Sequence, residues 1–165
     1  MTEQIISEII GQVFNFAIEV AIAFWNELLN WVYNSMVNWI QDLDPALAQS
    51  AQVAFVTLAQ VAIATLPMIK EAWKTIRQSL LEAIVEFNQS STSTMTWLRH
   101  LTSILLKVSD SGQTVILKRE VEESVNWDDL PSNVRAAWLG STQKSYKVDF
   151  LHTRDQEIEV MTMTN

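Results

Sequence analysis

Residues 5–40 have the spacing of one long helix whose polar side chains form an unusually narrow stripe. These side chains recur in steps of four, three, four, seven and four residues, at Glu8, Gln12, Asn15, Glu19, Asn26 and Asn30. At 3.6 residues per turn, they fall within about 60° of one another on a helix. The rest of the surface is mainly Ile, Val, Phe, Leu, Ala and Trp, whereas an ordinary surface helix has a broad polar face. This segment therefore needs apolar neighbours on nearly every side, which restricts every fold that the chain can adopt.

The next segment, residues 45–69, carries no charged side chain and is about as long as a helix that crosses a bilayer. Small residues that permit close helix packing recur along it, at Ala48, Ala51, Ala54, Ala59 and Ala62. Asp44 is a typical N-cap and Pro45 a typical first helical residue, so a second helix should begin at Pro45. Because residues 41–44 leave room only for a short turn, this helix should return antiparallel to the first. The sequence thus predicts a long antiparallel helical hairpin.

Beyond Pro67 the pattern changes to that of an amphipathic helix with its charges on one side. The apolar positions keep helical spacing at Ile69, Trp73, Ile76, Leu80, Leu81, Ile84 and Phe87. We divide the chain into a helical region at 1–88 for membrane insertion or oligomerisation, a polar linker at 89–94, and a small α+β module at 95–165. The predicted fold class is mainly α: a long antiparallel helical hairpin, then amphipathic helices, then the C-terminal module.

The beginning of this module admits two interpretations. Apolar side chains again fit one helical face, at Trp97, Leu98, Leu101, Ile104, Leu105 and Val108. This spacing favours a helix to about Lys107, followed by a strand over residues 114–121. The alternative is a β-hairpin in which residues 104–108 pair with 114–118 around a turn at 109–112.

The last third of the chain contains signals for one more helix and one more hairpin. A short helix should start at Leu130 and end at Gly140. Alternating side chains predict a hairpin that joins residues 146–151 to residues 157–161. About 50 residues form only a small independent core, so the module should need a partner or further copies of the chain.

Composition and charge favour a membrane-associated chain. Hydrophobic residues make up 48% and charged residues 18%, against about 25% charged residues in soluble domains. Every Lys and Arg lies at residue 70 or later, and no clustered basic face suggests nucleic acid as a partner. If the hairpin crosses a bilayer, its basic flank should lie at the cytoplasmic interface, together with the module: Lys70, Trp73, Lys74 and Arg77. The alternative is a cytoplasmic soluble protein in which other subunits replace the lipid.

The polar stripe has three interpretations. Gln12, Glu19 and Asn26 are seven residues apart, and such a period keeps facing the same neighbour in a left-handed coiled coil. In a ring of subunits the stripe would line a pore, with acidic rings at Glu8 and Glu19. Otherwise it forms a hydrogen-bonded seam between helices or a wet face in a soluble oligomer.

The sequence contains no recognisable catalytic or metal-binding pattern. It lacks cysteine and has two histidines, and we expect His100 and His152 to be exposed rather than to bind metal. We therefore expect no catalytic residue, no cofactor and no metal. The predicted function is a non-enzymatic, membrane-associated protein that oligomerises with itself, with the helical hairpin as anchor or pore and the C-terminal module as a site for a protein partner. The alternative is a soluble oligomeric protein–protein interaction or assembly module.

Overall fold

The computed structural model describes residues 18–56, 66–89, 96–125, 132 and 145–163. Within these residues the chain forms four helices and one four-stranded antiparallel sheet. The fold is therefore mixed α+β, and the prediction of a mainly α protein is wrong.

The first two helices meet at the predicted cap. Helix α1 spans Ile18–Leu43, and α2 spans Pro45–Ala54. The Asp44 carboxylate accepts hydrogen bonds from the backbone N–H groups of Ala46 and Leu47 at 3.1 and 3.3 Å, which confirms the cap. However, α2 ends after ten residues because Phe55 leaves the helical conformation. The predicted long helical hairpin therefore does not form.

Among the described residues, no helix is both long enough and apolar enough to cross a bilayer. The predicted transmembrane hairpin and the pore are therefore wrong. The predicted coiled coil is wrong as well, because α1 packs against a sheet instead of a second long helix. The described part of α1 finds its cover within the chain itself: Trp25, Leu28, Leu29 and Val32 have no exposed surface.

The predicted amphipathic helix is correct only in its first half. Helix α3 spans Leu66–Ser79, and strand β1 follows at once over Leu80–Gln89. Ala83, Val85 and Phe87 are buried, whereas the residues between them are not, which is the two-residue period of a strand. The extension of the helix to Phe87 is therefore wrong.

Strands β2 (Trp97–Val108) and β3 (Thr114–Val125) form the hairpin that the sequence offered only as the alternative. They pair over their whole lengths, with Val108 opposite Thr114. In the turn, Ser109 N–H donates to the Gln113 carbonyl at 2.8 Å. Gly112 has a φ of +81°, which favours glycine. The predicted helix to Lys107 is wrong, and the predicted strand from Thr114 is confirmed.

The chain ends in a strand and a helix instead of a hairpin. Strand β4 spans Ser145–Asp149, and helix α4 spans Phe150–Met163. The predicted strand over residues 157–161 is therefore wrong. The helix predicted from Leu130 to Gly140 lies, apart from Ser132, outside the described residues.

The sheet has the strand order β3-β2-β1-β4, and the described helices cover one of its faces. On this face, five of the six odd-numbered residues of β2 are buried, and Lys107 at its end is exposed: Trp97, Arg99, Leu101, Ser103 and Leu105 are the buried ones. Four aromatic rings meet at the centre of the core, from α1, α3, α4 and the residue that follows α2, and the contacting rings have centroids 5.2–6.5 Å apart: Trp25, Trp73, Phe150 and Phe55. Strands β1 and β2 flank the predicted linker at 89–94 and pair with each other, and the division into domains stays a prediction.

Candidate interaction surfaces

The most deeply buried charges lie on α4. Arg154 is 0% and Glu157 is 1% exposed, and the guanidinium donates to the carboxylate. Arg154 Nη2 also donates to the carbonyls of Ala54 and Val56, at 2.9 and 2.8 Å. Trp25 on α1 donates its indole N–H to the same Glu157 oxygen at 3.0 Å. This pair therefore connects α4 with α1 and with the end of α2 through both Arg154 Nη atoms and one Glu157 oxygen, whereas the buried Arg154 Nε has no hydrogen-bond partner among the described residues.

A second charged cluster ties α1 to the hairpin of β2 and β3. Arg99 donates to Glu27 at 2.7 Å and to Glu123 at 2.9 Å, and its guanidinium lies 4.4 Å from the centre of the Trp31 ring. Trp31 donates its indole N–H to Glu123 at 3.2 Å. Partial burial by itself raises the pKa of Glu123, but the hydrogen bonds from Arg99 and Trp31 and the charge of Arg99 outweigh it. The pKa of Glu123 is therefore lowered from its ordinary value.

A groove of about 640 Å³ lies between α3 and α4. The predicted membrane-flanking residues all line it, together with three residues of α4: Lys70, Trp73, Lys74, Arg77, Asp155, Ile158 and Glu159.

The middle of this groove is closed by hydrogen bonds to one carboxylate. Asp155 accepts from the Trp73 indole at 2.6 Å and from Arg77 Nε and Nη2 at 3.2 Å. Lys70 and Lys74 are exposed, and neither ammonium group forms an ion pair with any residue that the structure describes. The groove therefore presents two cations beside an aromatic ring that is already held in place.

The other face of the sheet carries charges at one end and apolar side chains at the other. Glu86 of β1 lies between His100 of β2 and Lys147 of β4, and Glu122 of β3 lies on the other side of His100. Towards the turn between β2 and β3 the face becomes apolar, and Ile116 is 64% exposed. The even-numbered residues of β2 on this face are half-buried from Leu98 to Leu106, whereas the odd-numbered residues on the opposite face are buried from Trp97 to Leu105.

Strand β3 is the longest open edge in the described part of the sheet. It has 12 residues, nine of which are exposed, and its only partner among the described strands is β2. The opposite edge, β4, has five residues. The exposed residues of β3 include the apolar Val115 and Ile116, and a run of mixed charge follows them. The exposed Val108 lies across the turn, at the end of β2. Open strand edges of this length are templates for pairing with another chain.

The predicted polar stripe is described only in part. Glu8, Gln12 and Asn15 lie outside the described residues, and Glu19 is within α1. Asn26 is half-buried and Asn30 is exposed. A role for the stripe as an interface stays a prediction.

Sequence reasoning missed the residues that carry the two charged clusters. Arg154 and Glu157 are three residues apart, which places both on one side of a helix, but the sequence pattern predicts a turn and a strand there. Arg99 faces inward because β2 is a strand, and on the predicted helix it had no special position.

The histidines lie apart from each other. His100 Nε2 is 3.6 Å from Glu120, and His152 is exposed on α4. Within the described ranges, no three His, Asp or Glu side chains lie close enough together to hold a metal ion. The described residues thus define a class of fold, helices on one face of a four-stranded antiparallel sheet, with a long edge strand at β3 and a groove between α3 and α4. Comparison with protein-family models, with curated proteins and with solved structures finds no match.

Proposed function

We propose that this chain is a non-enzymatic assembly module that associates with further copies of itself through its sheet. The observation that carries the proposal is the 12-residue edge strand β3, which has nine exposed residues and an open outer side in the described part of the sheet. Strand addition at such an edge supplies main-chain hydrogen bonds, and alternate side chains supply the specificity.

The placement of the ionisable groups supports a structural function. The two buried arginines contact tryptophan rings, carboxylates and backbone carbonyls, and these contacts hold the helices on each other and on the sheet. Groups with these contacts stabilise the fold, whereas a catalytic acid or base must lie within hydrogen-bond distance of the substrate group whose proton it transfers.

The apolar end of the sheet is a second observation that supports self-association. Val108, Val115 and Ile116 surround the turn between β2 and β3 and are 63%, 39% and 64% exposed. They lie next to the open edge, so a strand that pairs with β3 would also cover apolar surface, and covering apolar surface contributes about 25 cal/mol per Å². A separate protein partner for the C-terminal part of the chain stays a prediction.

The mass of the purified protein in detergent-free buffer tests the proposal. Light scattering behind size exclusion, run over a wide range of loading concentrations, should give a multiple of the chain mass of 18.8 kDa. A parallel run in mild detergent is the control for association through non-specific apolar contacts. A mass of one chain at every concentration would refute the proposed assembly.

A further inference from the structure

The hairpin turn determines which backbone groups of β3 point away from the sheet. Ser109 N–H donates to the Gln113 carbonyl, so these two residues occupy a hydrogen-bonded position of the ladder, and the Gln113 N–H donates to the Ser109 hydroxyl. Hydrogen-bonded positions alternate along an antiparallel ladder, and β2 and β3 pair without a register shift. The odd-numbered residues of β3 therefore bond to β2. The even-numbered residues, from Thr114 to Ser124, direct their N–H and C=O groups outward.

A second copy of β3 can use these outward groups only in a few registers. If two copies pair about a two-fold axis normal to the sheet, opposed residues must face the same side, so the axis must pass through a residue position. With the axis at Arg119, all six even-numbered residues of each copy meet even-numbered residues of the other. This register gives about twelve hydrogen bonds between the chains. An axis at Lys118 or at Glu120 gives about ten, and an axis at Val121 gives fewer.

The side chains favour the same register. An axis at Arg119 places Lys118 opposite Glu120 twice, and Leu117 opposite Val121 twice. Opposite charges and apolar pairs that face each other across strands stabilise the pairing, and like charges oppose it. The one like-charged pair is Arg119 with its own copy, and each Arg119 leans over the Trp39 ring of its own chain, 5.9 Å from the ring centre.

The neighbouring registers are less favourable. An axis at Lys118 or at Glu120 places that charged residue opposite its own copy on the open face, and an axis at Val121 places Glu120 opposite Glu122 twice. The charges that discourage an unrelated strand from pairing with β3 thus match a second copy best in one register.

We propose that two copies of this chain join β3 to β3 in antiparallel orientation, with Arg119 on the two-fold axis and Lys118 of each copy opposite Glu120 of the other. The partner is a second copy of the same chain, and the two four-stranded sheets become one continuous sheet. This inference rests on the proposed assembly function and specifies its surface.

Single-cysteine variants test the register directly, since the native chain has no cysteine. In the proposed register the two Arg119 positions oppose each other with Cα atoms about 4.5 Å apart, within the range for a disulfide. R119C should therefore form a disulfide-linked dimer when oxidised glutathione accepts the two electrons. The two Glu120 positions lie about 8 Å apart, so E120C should not cross-link. K147C on β4 is the control at the opposite edge of the sheet.

Charge reversal tests the same contact without a cross-link. K118E places like charges together twice, and dimer dissociation constants should rise about ten-fold or more. The double variant K118E/E120K restores opposite charges and should recover most of the affinity. K147E is the matched control, because it makes the same charge change at the other edge and should leave the dimer unchanged. Circular dichroism of each variant is the control for correct folding.

The outcomes separate this inference from the proposed function. Cross-linking of R119C but not of E120C, with weakening by K118E and recovery in the double variant, supports the register. A native chain that is monomeric at every concentration overturns both the inference and the proposed function. An oligomer whose dissociation constant K118E leaves unchanged overturns the inference and leaves the proposed function in place. Cross-linking through E120C or K147C instead of R119C has the same consequence.

Discussion

Replacing Arg154 by Met should lower the free energy of unfolding by about 3–5 kcal/mol, the cost of breaking a buried ion pair by removing one partner. The side chain is fully buried, and the change leaves the Glu157 carboxylate, which is 1% exposed, without its counter-charge. It also removes the donor that serves the carbonyls of Ala54 and Val56. Since domains of ordinary size are stable by about 5–15 kcal/mol, this loss should be a large fraction of the total.

The double variant R154M/E157Q separates the cost of the stranded charge from the cost of lost packing. Gln still accepts a hydrogen bond from the Trp25 indole, which donates to Glu157 at 3.0 Å in the native chain. Because no uncompensated charge remains, the double variant should be more stable than R154M by about 1–3 kcal/mol. R119M is the matched control, because Arg119 is exposed and its stacking on Trp39 is worth about 0.5–1 kcal/mol.

Urea unfolding followed by tryptophan fluorescence measures these differences, with free energies taken from the midpoints and slopes. The protein should be diluted until its mass is that of one chain, so that unfolding is not coupled to dissociation. A loss below about 1 kcal/mol in R154M would refute the reasoning, since the lower limit for breaking a buried pair is about 3 kcal/mol. A double variant no more stable than R154M would show that the stranded carboxylate is not the cause.

Two further predictions concern the other cluster and the helix cap. The pKa of Glu123 is lowered from its unfolded value of 4.5, so its contribution to stability is complete above about pH 4.5 and is lost as the pH falls through the lower folded value. Unfolding midpoints between pH 3 and 6 should therefore fall less steeply in E123Q than in the native chain, and equal slopes would contradict this. Asp44→Ala should cost about 1 kcal/mol because two backbone N–H groups lose their acceptor, whereas Asp44→Asn should cost little, and equal losses would exclude the cap as the cause.

Two elements, β2 and α4, show why the sequence pattern predicts a helix where the structure has a strand and a strand where it has a helix. In β2 the buried residues alternate, but several residues on the other face are also apolar, including Leu98, Ile104 and Leu106. With apolar side chains on both faces, the two-residue period is lost and helical spacing fits equally well. In α4 the inward side chains include Arg154 and Glu157, so the helix shows no apolar face in its sequence.

The first helix has more apolar surface in its sequence than the predicted remainder of the chain could cover, so the sequence predicts that lipid or further subunits cover it. The described part of α1 is instead covered by the sheet, α2 and the aromatic rings at the centre of the core. This cover could not be foreseen, because the strands that supply it had been assigned to helices or to a separate module. The α3–α4 groove illustrates the same point: its α3 residues were singled out for their charge and aromatic character, but their neighbours on α4 were not.

The sequence alone determined the local features: the cap at Asp44, the start of α2 at Pro45, the turn that contains Gly112 and the strand from Thr114. Each is encoded within a few residues, through side-chain acceptors, fixed φ angles or permitted positive φ angles. Only the tertiary structure decided that residues 80–89 and 97–108 are strands, that Arg154 and Glu157 lie in the core, and that β3 is an edge of the described sheet. These outcomes depend on which distant segments cover each face. The free energy of that packing is set by contacts between residues far apart in the chain.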